Sequence, residues 1–375
     1  MTIGLLPALG GGIRELATTG QASRLVDGYL RPYAAAFGRL VYFSYLPETL
    51  AEFTADARVL AAVRVLGPAR RLSRGRRAVT MAWTDARELR ECAALRVFQV
   101  TGVIPALAAR ARFGVPYVTT YGFWYARLSR PGPTRLLKAA VEWVGLRRAA
   151  AVIATTEELA ARAARLNARV ELIPNGVDTG RFVPVDGARP RGGERRVLYV
   201  GRLSPEKNLP ALVRAAAILG GRVPVRLVLV GAGPLESALR AEAAAAGVAV
   251  ECPGVVDQRR LPELYAGADA FVLASFTEGH PKVLLEAMSA GVPVVASDCA
   301  GNRSLVADGR TGLLFDPARP DELAERLGRV LGDHALAAAL ARAGREQVVA
   351  RYDLAALVAR EIELVRSVAA GRAGR

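Results

Sequence analysis

The chain has 375 residues, enough for two domains at about 150 residues each, and its 52% hydrophobic share excludes an intrinsically disordered protein. Three cysteines (Cys92, Cys252 and Cys299) and two histidines (His280 and His334) argue against a disulfide framework, a cysteine-rich zinc site and a histidine-built metal centre. The formal net charge of +16 is uneven, because residues 1–185 carry 26 basic against 13 acidic side chains and residues 186–375 carry 25 against 22, which predicts an anionic partner for the first half.

The first half is predicted to alternate short strands with helices. An apolar run at 3–6 leads through three glycines at 10–12 into a helix near 13–27. Further strands are predicted at 40–44, 79–82, 97–100, 117–120 and 151–154, with helices such as 105–112 and 136–146 between them. A turn cluster at 173–178 and a polar, Gly- and Arg-rich stretch at 186–195 then indicate a domain boundary.

The second half shows the same alternation more clearly. Strands are predicted at 197–201, 225–231, 248–252, 270–274, 292–297 and 311–315, and helices at 208–219, 235–246, 261–266, 281–290, 320–332 and 335–350. Short apolar strands between amphipathic helices are typical of a parallel sheet covered on both faces. The sequence therefore predicts α/β architecture, with two Rossmann-like, doubly wound domains whose loops point into a cleft between them.

The loop at 201–208 is the first candidate site. It follows a predicted strand and opens a helix, so it offers backbone N–H groups and the positive end of a helix dipole to an anion. Arg202 can bind phosphate oxygens in a bidentate manner, and Lys207 adds a second positive charge. The alternative is an ordinary solvated loop with two surface cations.

The second candidate site is the pair Glu278 and Glu286. Glu278 lies in the loop after the strand at 270–274, and Glu286 lies in the following helix. A carboxylate can accept hydrogen bonds from two vicinal hydroxyls, which suits a ribose or a hexose, and Gly279 allows close approach of the backbone. The alternative is a helix with an exposed glutamate. A third junction between a strand, a glycine segment and a helix lies at 230–235 and contains Gly233. By itself this weak pattern is equally typical of an ordinary tight turn.

In this order and spacing, the segments 173–178, 201–208, 230–233, 278–286 and 290–297 resemble the retaining glycosyltransferases of family 4, which have the GT-B fold. The resemblance is strongest over 173–317. It implies transfer of a sugar from a nucleotide diphosphate sugar to a glycan or lipid-linked acceptor. It also implies a first domain at 1–182 that meets the acceptor, a donor domain at 183–351, and a C-terminal helix at about 352–370 that packs back on the first domain.

The resemblance assigns expected roles to residues of this chain. Arg202 and Lys207 would hold the diphosphate, Glu286 the ribose and Glu278 the donor sugar. The other donor-binding residues would be Gly279, His280, Pro281, Lys282 and Gly233, together with Gly254 and Val256, which would line the nucleotide base. On the acceptor side it implies Gly11, Gly12, Tyr121 and Gly122. Many family members have a histidine where this chain has Tyr121, which can still donate a hydrogen bond to a sugar hydroxyl but is no imidazole base.

No Asp-x-Asp motif occurs in the chain, so no metal ion and no other cofactor is expected. Fixed cations aimed at the departing diphosphate would stabilise its developing charge instead. Of the two histidines, we expect His280 to act through its backbone rather than its ring, and His334 to lie on the surface. The three cysteines are expected to pack as small hydrophobic residues in reduced form.

The densest charge cluster is basic and follows an apolar and basic stretch at 58–66. Its members are Arg70, Arg71, Arg74, Arg76 and Arg77. Such a cluster suits an anionic membrane surface, and the alternative is a solvated helix face. No nucleic-acid motif is recognised, so we expect no nucleic-acid partner.

No apolar run reaches the roughly 20 residues that span a bilayer. The N-terminus shows neither a basic region nor a cleavage site, so no signal peptide is predicted. We therefore expect a cytoplasmic protein, either free or peripheral at the inner face of the cell membrane.

Two other functions stay open. A nucleotide-sugar epimerase or a phosphorylase has the same fold, but an epimerase should place further carboxylates and histidines in the cleft, and a phosphorylase should be longer and carry a pyridoxal lysine. A non-catalytic nucleotide-sugar-binding protein is the remaining alternative. Transfer or hydrolysis measured over a panel of nucleotide sugars separates it from an enzyme.

Overall fold

The computed structural model describes residues 1–69, 72–124, 132–185, 193–221 and 223–373. These residues divide into two compact units, Met1–Pro174 with Ala356–Arg375, and Asn175–Ala355. The domain boundaries predicted from the sequence were 182/183 and 351/352. The second unit begins earlier because Val177 exchanges backbone hydrogen bonds with Tyr352 (N–O 2.9 Å) and Leu354 (O–N 2.8 Å), which holds the segment after Pro174 against the end of that unit.

In the described part of the first unit, seven parallel strands form one sheet in the order β3-β2-β1-β4-β5-β6-β7. They are β1 (Thr2–Leu6), β2 (Arg39–Phe43), β3 (Val63–Leu66), β4 (Ala94–Val97), β5 (Tyr117–Tyr121), β6 (Ala151–Ala154) and β7 (Val170–Leu172). The helices between them are α1 (Ile13–Ala17), α2 (Ala22–Leu25), α3 (Arg31–Phe37), α4 (Ala57–Ala62), α5 (Arg74–Thr84), α6 (Ala86–Glu91), α7 (Val103–Phe113), α8 (Pro133–Arg148) and α9 (Glu157–Ala164).

The described residues of the second unit form a six-stranded parallel sheet in the order β10-β9-β8-β11-β12-β13. Its strands are β8 (Arg195–Val200), β9 (Val225–Val230), β10 (Ala249–Gly254), β11 (Ala270–Leu273), β12 (Val294–Ser297) and β13 (Leu313–Phe315). Its helices are α10 (Leu209–Gly220), α11 (Glu236–Ala245), α12 (Leu261–Ala266), α13 (Lys282–Ser289), α14 (Ala300–Arg303), α15 (Pro320–Gly332) and α16 (His334–Arg351). The last helix, α17 (Leu354–Ala373), belongs to the first unit from Ala356 onward.

The strands are apolar because helices cover both faces of each sheet. In β9, four consecutive residues, 227–230, are at most 2% exposed, so hydrophobic side chains do not alternate with polar ones. Helices α10 and α15 pack against each other, and α10 also contacts β9. The apolar runs at 225–231 and 270–274 therefore predicted their strands correctly.

The predicted strand at 79–82 is wrong, since these residues lie in helix α5. Ala78, Met81 and Ala82 are buried while Val79 and Trp83 are exposed, which is a helical period and not the two-residue period of a strand. Ser73 caps this helix by accepting a hydrogen bond from the backbone N–H of Arg76.

The single helix predicted near 13–27 is divided into α1 and α2. Gly20 has a φ of +72°, and residues with positive φ do not continue an α-helix. The edge strands β3 and β7 were not predicted. They are three or four residues long and only partly buried, so they lack the continuous apolar run of the central strands.

In each sheet, the next strands along the chain lie on one side of the first strand, and the later strands lie on its other side. This change of side lies between β1 and β4 in the first unit and between β8 and β11 in the second. Ligands of doubly wound sheets bind beyond the carboxyl ends of the strands at such a switch point. The loops that follow β8 and β11 are the two candidate loops of the sequence, 201–208 and 274–281.

Candidate functional site

The two candidate loops of the second unit meet through an ion pair. Lys207 Nζ lies 2.6 Å from Glu278 Oε1, and the two side chains are only 20% and 12% exposed. Ser275 Oγ donates to the same carboxylate oxygen at 2.6 Å. The backbone N–H of Phe276 donates to the carbonyl of Glu206 at 3.0 Å. Residues separated by about seventy positions in the sequence thus form one site at the switch point.

Arg202 is placed by backbone contacts while its side chain is exposed. Tyr199 OH donates to the carbonyl of Arg202 at 2.8 Å, and burial raises the pKa of that phenol, so it stays a donor at neutral pH. A Cβ on Gly231 would lie 1.9 Å from the carbonyl oxygen of Gly201. Only glycine therefore fits where the turn after β9 crosses the start of the Arg202 loop.

A similar crossing involves Gly233, one of the predicted donor-binding residues. A Cβ there would lie 2.3 Å from the carbonyl oxygen of Leu203, and the backbones of Leu203 and Leu235 are hydrogen-bonded at 3.0 Å. The residue thus has a demonstrated packing role in holding the 201–208 loop. Its predicted contact with a donor stays a prediction.

The backbone around Glu278 rests on a residue that the sequence did not single out. A Cβ on Gly301 of α14 would lie 2.4 Å from the carbonyl oxygen of Glu278 and 2.6 Å from that of Gly279. Helix α14, which follows β12, therefore packs closely against the backbone of the loop after β11. The signal in the sequence is a glycine four residues beyond a predicted strand, which is too common to select by itself.

Glu286 lies in a different environment from Glu278. It is 1% exposed on α13, where Gln258 Nε2 donates to its Oε1 at 3.0 Å and Tyr265 OH donates to its Oε2 at 3.0 Å. Burial and the nearby carboxylate raise the pKa of Tyr265 well above its ordinary value, so the phenol remains a donor. Gln258 and Tyr265 are the partners that sequence reasoning missed.

His280 takes part in the site through its backbone. Its carbonyl oxygen accepts from Asn175 Nδ2 at 2.9 Å, and its ring is buried against the ring of Tyr352, with centroids 5.5 Å apart. Burial, and then the charge of Lys282, lower the pKa of His280 to about 4. Pro281 precedes the first turn of α13, and Lys282 is the first residue of that helix.

The two residues predicted to line a nucleotide base lie at the end of β10. Gly254 has a φ of +76°, and its carbonyl oxygen accepts from the backbone N–H of Gly231 at 2.8 Å. Val256 is half-buried against the core of the second unit, while the adjacent Val255 is 46% exposed. Their contact with a base stays a prediction.

In the first unit, the glycine loop after β1 encloses a carboxylate. Glu48 is buried and accepts from the backbone N–H groups of Ile13 (2.9 Å) and Arg14 (2.7 Å) and from Ser44 Oγ (2.5 Å). A Cβ on Gly12 would lie 2.7 Å from Glu48 Oε1, whereas one on Gly11 would meet no atom closer than 3.1 Å. Gly12 is thus required by Glu48, a residue absent from the predicted site.

Tyr121 is fully buried at the end of β5. Its hydroxyl donates to Glu142 Oε1 at 2.7 Å and accepts from Arg162 Nε at 3.0 Å, and the guanidinium of Arg162 lies 3.8 Å from the ring centroid of Trp124. A Cβ on Gly122, the next residue, would lie 3.3 Å from the side-chain amide of Gln99. The predicted hydrogen bond from Tyr121 to a sugar stays a prediction.

The predicted basic cluster requires a correction. Arg77 is buried and donates to Asp85 Oδ2 at 2.6 Å and to Thr84 Oγ1 at 2.9 Å, so it is part of the packing of α5 and not of a surface. Arg74 and Arg76 are exposed. Arg70 and Arg71 lie outside the described residues.

The described parts of the chain show no group of three or more His, Cys, Asp or Glu side chains placed to hold a metal ion. None of the described helices combines the length and the hydrophobicity that spanning a bilayer requires. Cys92 and Cys299 are buried, Cys252 is half-buried, and His334 is exposed.

Two doubly wound parallel sheets, each with Gly-rich loops at a switch point, define the GT-B class of α/β protein. Two family models match consecutive parts of the chain. Glycosyltransferase Family 4 matches residues 39–181, and Glycosyl transferases group 1 matches residues 187–347. The chain therefore belongs to the family 4 (group 1) glycosyltransferases, the family that the motifs of its second half predicted.

Similar proteins agree with that family. A GDP-mannose-dependent alpha-(1-6)-phosphatidylinositol monomannoside mannosyltransferase of Mycobacterium tuberculosis is 37% identical over 222 residues, which cover 55% of this chain and 58% of that protein. A D-inositol 3-phosphate glycosyltransferase of Nocardia farcinica is 36% identical over 182 residues, covering 44% and 40%. The matches thus span about half the length of these relatives.

Solved structures share the fold over nearly the whole chain. A sucrose-phosphate synthase from Thermosynechococcus elongatus superposes with a TM-score of 0.78 at 24% identity, covering 99% of this chain and 100% of that one. Anabaena Alr3699/HepE, solved with UDP and glucose, has a TM-score of 0.76 at 21% identity, covering 98% and 100%. At these identities the likeness concerns the fold.

Proposed function

We propose that the chain transfers a sugar, with retention of configuration, from a nucleoside diphosphate sugar to a hydroxyl of a glycan or lipid-linked acceptor. The observation that carries the proposal is the contact between Lys207 and Glu278 at the switch point of the second unit. It brings a cation suited to a diphosphate within 2.6 Å of a carboxylate suited to sugar hydroxyls. Membership of the family and the names of the relatives support the same reaction.

In the proposed step, the bond between the anomeric carbon and the diphosphate oxygen breaks, and a bond to the acceptor oxygen forms on the same face. The proton of the acceptor hydroxyl passes to the departing diphosphate, so no strong base from the protein is needed. Arg202 and Lys207 stabilise the negative charge that develops on the leaving group. The backbone of 279–282 faces the sugar and the phosphates.

The ion pair between Lys207 and Glu278 suggests how the donor is received. The diphosphate takes the place of Glu278 as a partner of Lys207, and the carboxylate then accepts hydrogen bonds from the sugar while Ser275 keeps it oriented. In this exchange Lys207 keeps an anionic partner and Glu278 keeps hydrogen-bond donors, so neither group is left buried without a polar partner.

Glu286 is proposed to bind the ribose. Gln258 and Tyr265 donate to its two oxygens, which orients the carboxylate, and a carboxylate can accept hydrogen bonds from two vicinal hydroxyls. Because Glu286 is 1% exposed, the ribose reaches it only when a neighbouring side chain moves, and Gln258 in the loop before α12 is the one we assign to that movement.

The acceptor and the nucleotide are proposed from the relatives. The two curated relatives are named for a phosphatidylinositol mannoside and for an inositol phosphate, and one of them for GDP-mannose. We therefore propose an inositol-containing acceptor and a GDP- or UDP-linked hexose, with no requirement for a metal ion.

The experiment compares Glu286→Gln with Glu278→Gln. A ribose contact binds ground state and transition state alike, so Glu286→Gln should weaken binding of the free nucleoside diphosphate and of every donor. A sugar contact strengthens as the sugar flattens, so Glu278→Gln should lower the transfer rate. It should not weaken binding of the free nucleoside diphosphate, because it removes the carboxylate that competes for Lys207. Calorimetry with GDP and UDP, together with transfer kinetics, measures both effects.

Lys207→Ala is the positive control, since losing a charge-assisted contact costs roughly 1.5–3 kcal/mol, or about 10- to 150-fold in nucleotide affinity. Glu325→Gln, at an exposed position of α15, is the matched neutral control. Equal loss of nucleotide affinity in both glutamate variants would contradict the division of roles. Nucleotide binding by the wild type without transfer to any acceptor would favour a non-catalytic binding protein.

A further inference from the structure

The largest exposed hydrophobic side chains of helix α8 form a stripe along its outer face. Leu136 and Leu137 are 74% and 66% exposed, and Trp143 is 50% exposed. Leu136, Ala140, Trp143 and Arg147 follow one another at intervals of four, three and four residues, so they lie on one side of the helix. We call the surface formed by Leu136, Leu137, Ala140, Trp143 and Arg147 the α8 face.

The opposite side of α8 is tied to the interior of the first unit. Glu142 accepts the hydrogen bond from Tyr121, the carbonyl of Gly145 accepts one from Tyr117 at 2.7 Å, and Leu146 is fully buried. The helix is thus amphipathic, with its core side satisfied by the unit itself. Exposed apolar patches of this kind mark interaction surfaces.

The segment of sequence that contains helix α8 is strongly basic. Between residues 101 and 156 the chain has eight basic side chains and one acidic side chain, and that acid, Glu142, is buried. This segment thus contributes +7 to the +13 excess of residues 1–185. Arg135, Lys138, Arg147 and Arg148 are exposed on α8 itself.

Tryptophan and arginine are paired on this layer of helices in the way that suits a lipid interface. The guanidinium of Arg147 lies 5.4 Å from the ring centroid of Trp143, and that of Arg112 lies 5.5 Å from Trp83 on α5. Helix α7, which carries Arg112, packs against both α5 and α8. An amphipathic ring beside a cation matches the boundary between acyl chains and anionic headgroups.

We propose that the α8 face is a membrane-docking surface whose partner is an anionic phospholipid bilayer. Leucine and tryptophan side chains enter the interfacial region while the flanking arginines contact the headgroups. The charge complementarity selects a lipid surface over a second copy of this chain, because two such faces would bring their basic residues together. Docking of α8 also brings the carboxyl end of β5 towards the lipid, since Glu142 holds Tyr121.

The first test is sedimentation of the full chain with vesicles of phosphatidylcholine and phosphatidylglycerol at physiological salt. Burying one large apolar side chain is worth roughly tenfold or more in partitioning, and each headgroup charge contributes about fivefold. The triple variant Leu136→Ser, Leu137→Ser, Trp143→Ala should therefore bind at least tenfold more weakly. Wild-type protein should show little binding to pure phosphatidylcholine vesicles.

Ile218→Ser with Val349→Ser is the matched control, because both side chains are exposed in the second unit. This double variant should bind vesicles like the wild type. Equal binding by the triple variant and the wild type, or no binding by the wild type, overturns the proposal. A wild type that ignores vesicles but self-associates, with a monomeric triple variant, would identify a second copy of the chain as the occupant.

A second measurement uses tryptophan fluorescence, and its first variant leaves the α8 face unaltered. Trp83→Phe with Trp124→Phe retains Trp143 as the single tryptophan, and brominated lipid in the vesicles should quench its fluorescence. The companion variant Trp124→Phe with Trp143→Phe retains Trp83. Quenching of Trp83 without quenching of Trp143 would place the contact on α5 and overturn the assignment to α8. Vesicle binding needs no donor, so these outcomes are independent of the proposed transfer reaction.

Discussion

At the scale of single residues, Glu278 and Glu286 show how one short motif supplies two different carboxylates. Glu278 is paired with a cation and a hydroxyl in a loop, while Glu286 is buried between two neutral donors on a helix. The difference follows from position, because the chain enters α13 between them and turns the second carboxylate towards α12. The partly exposed, ion-paired Glu278 suits a contact with the part of the donor where charge changes during transfer. The buried Glu286 suits a contact with the ribose, which the proposed reaction leaves unchanged.

His280 is expected to make the stability of the second unit depend on pH. Its pKa is lowered from 6.5 to about 4, first by burial and then by Lys282, so the fold favours the neutral ring. The stabilisation is complete above pH 6.5 and is lost as the pH falls towards 4, because the unfolded chain binds a proton that the folded chain does not. Urea unfolding followed by circular dichroism, above and below this window, measures the loss.

His280→Phe keeps a ring against Tyr352 and removes the titration. The wild type should therefore lose unfolding free energy relative to the variant as the pH falls, and each unit of pKa shift is worth about 1.4 kcal/mol. His334→Gln, which replaces the other histidine at an exposed position, is the matched control variant. A wild type and His280→Phe variant with parallel pH profiles would show that the ring titrates normally.

At the scale of elements, the attachment of α17 to the first unit depends on a buried ion pair. Arg96 on β4 donates to both oxygens of Glu361, from Nε at 2.7 Å and from Nη2 at 2.9 Å, and Tyr33 OH donates to Oε1 at 2.5 Å. The side chains of the pair are 3% and 6% exposed. A helix more than 180 residues distant in sequence from the first unit is thereby fixed in orientation.

Glu361→Gln should loosen α17 because it leaves the Arg96 guanidinium buried without a compensating charge. Breaking such a pair costs about 3–5 kcal/mol, which corresponds to a factor of more than 100 in the opening equilibrium. Amide hydrogen exchange in α17 measures this directly, since opening of one element need not involve global unfolding.

The double variant Arg96→Met with Glu361→Leu replaces the pair by apolar side chains of similar length and should recover most of the lost protection. Glu363→Gln is the matched control, as that carboxylate lies on the exposed side of the same helix. Unchanged exchange in Glu361→Gln would mean that apolar packing alone holds α17.

At the scale of the whole molecule, the excess of basic side chains concerns the proposed transfer reaction as well as the choice of partner. The chain has no Asp-x-Asp motif, and Arg202 and Lys207 are the cations that we propose receive the diphosphate. We therefore expect the proposed transfer activity to survive EDTA, with a rate within about twofold of the untreated enzyme, because fixed cations stabilise the leaving group. Transfer assays with chelator, and with added Mg²⁺ or Mn²⁺, measure this.

An unrelated metal-dependent glycosyltransferase assayed in parallel confirms that the chelator is effective. Abolition of activity by EDTA and its recovery with either metal ion would contradict the expectation. Lys207→Ala should lower the rate whether or not a metal ion is added.

Local patterns in the sequence determined the alternation of strands and helices, the family and the two candidate loops. The runs at 225–231 and 270–274 needed no tertiary information, because a strand covered on both faces is apolar throughout. The loop at 201–208 and the motif at 278–286 were recognisable because glycine, charge and spacing are local properties. At 79–82 the local pattern predicted a strand, whereas the period of burial in the folded unit is that of a helix.

Only the tertiary structure decided which distant side chains meet. Arg77 belonged by spacing to a basic cluster, yet Asp85 and the carbonyl of Ser44 draw it into the interior. The partners of Glu286, and the pairing of Arg96 with Glu361, join residues from 21 to 265 positions apart. Such contacts depend on the order of strands in the sheet and on the packing of helices over it, which no local pattern encodes, because hydrogen bonds and burial act across space and not along the chain.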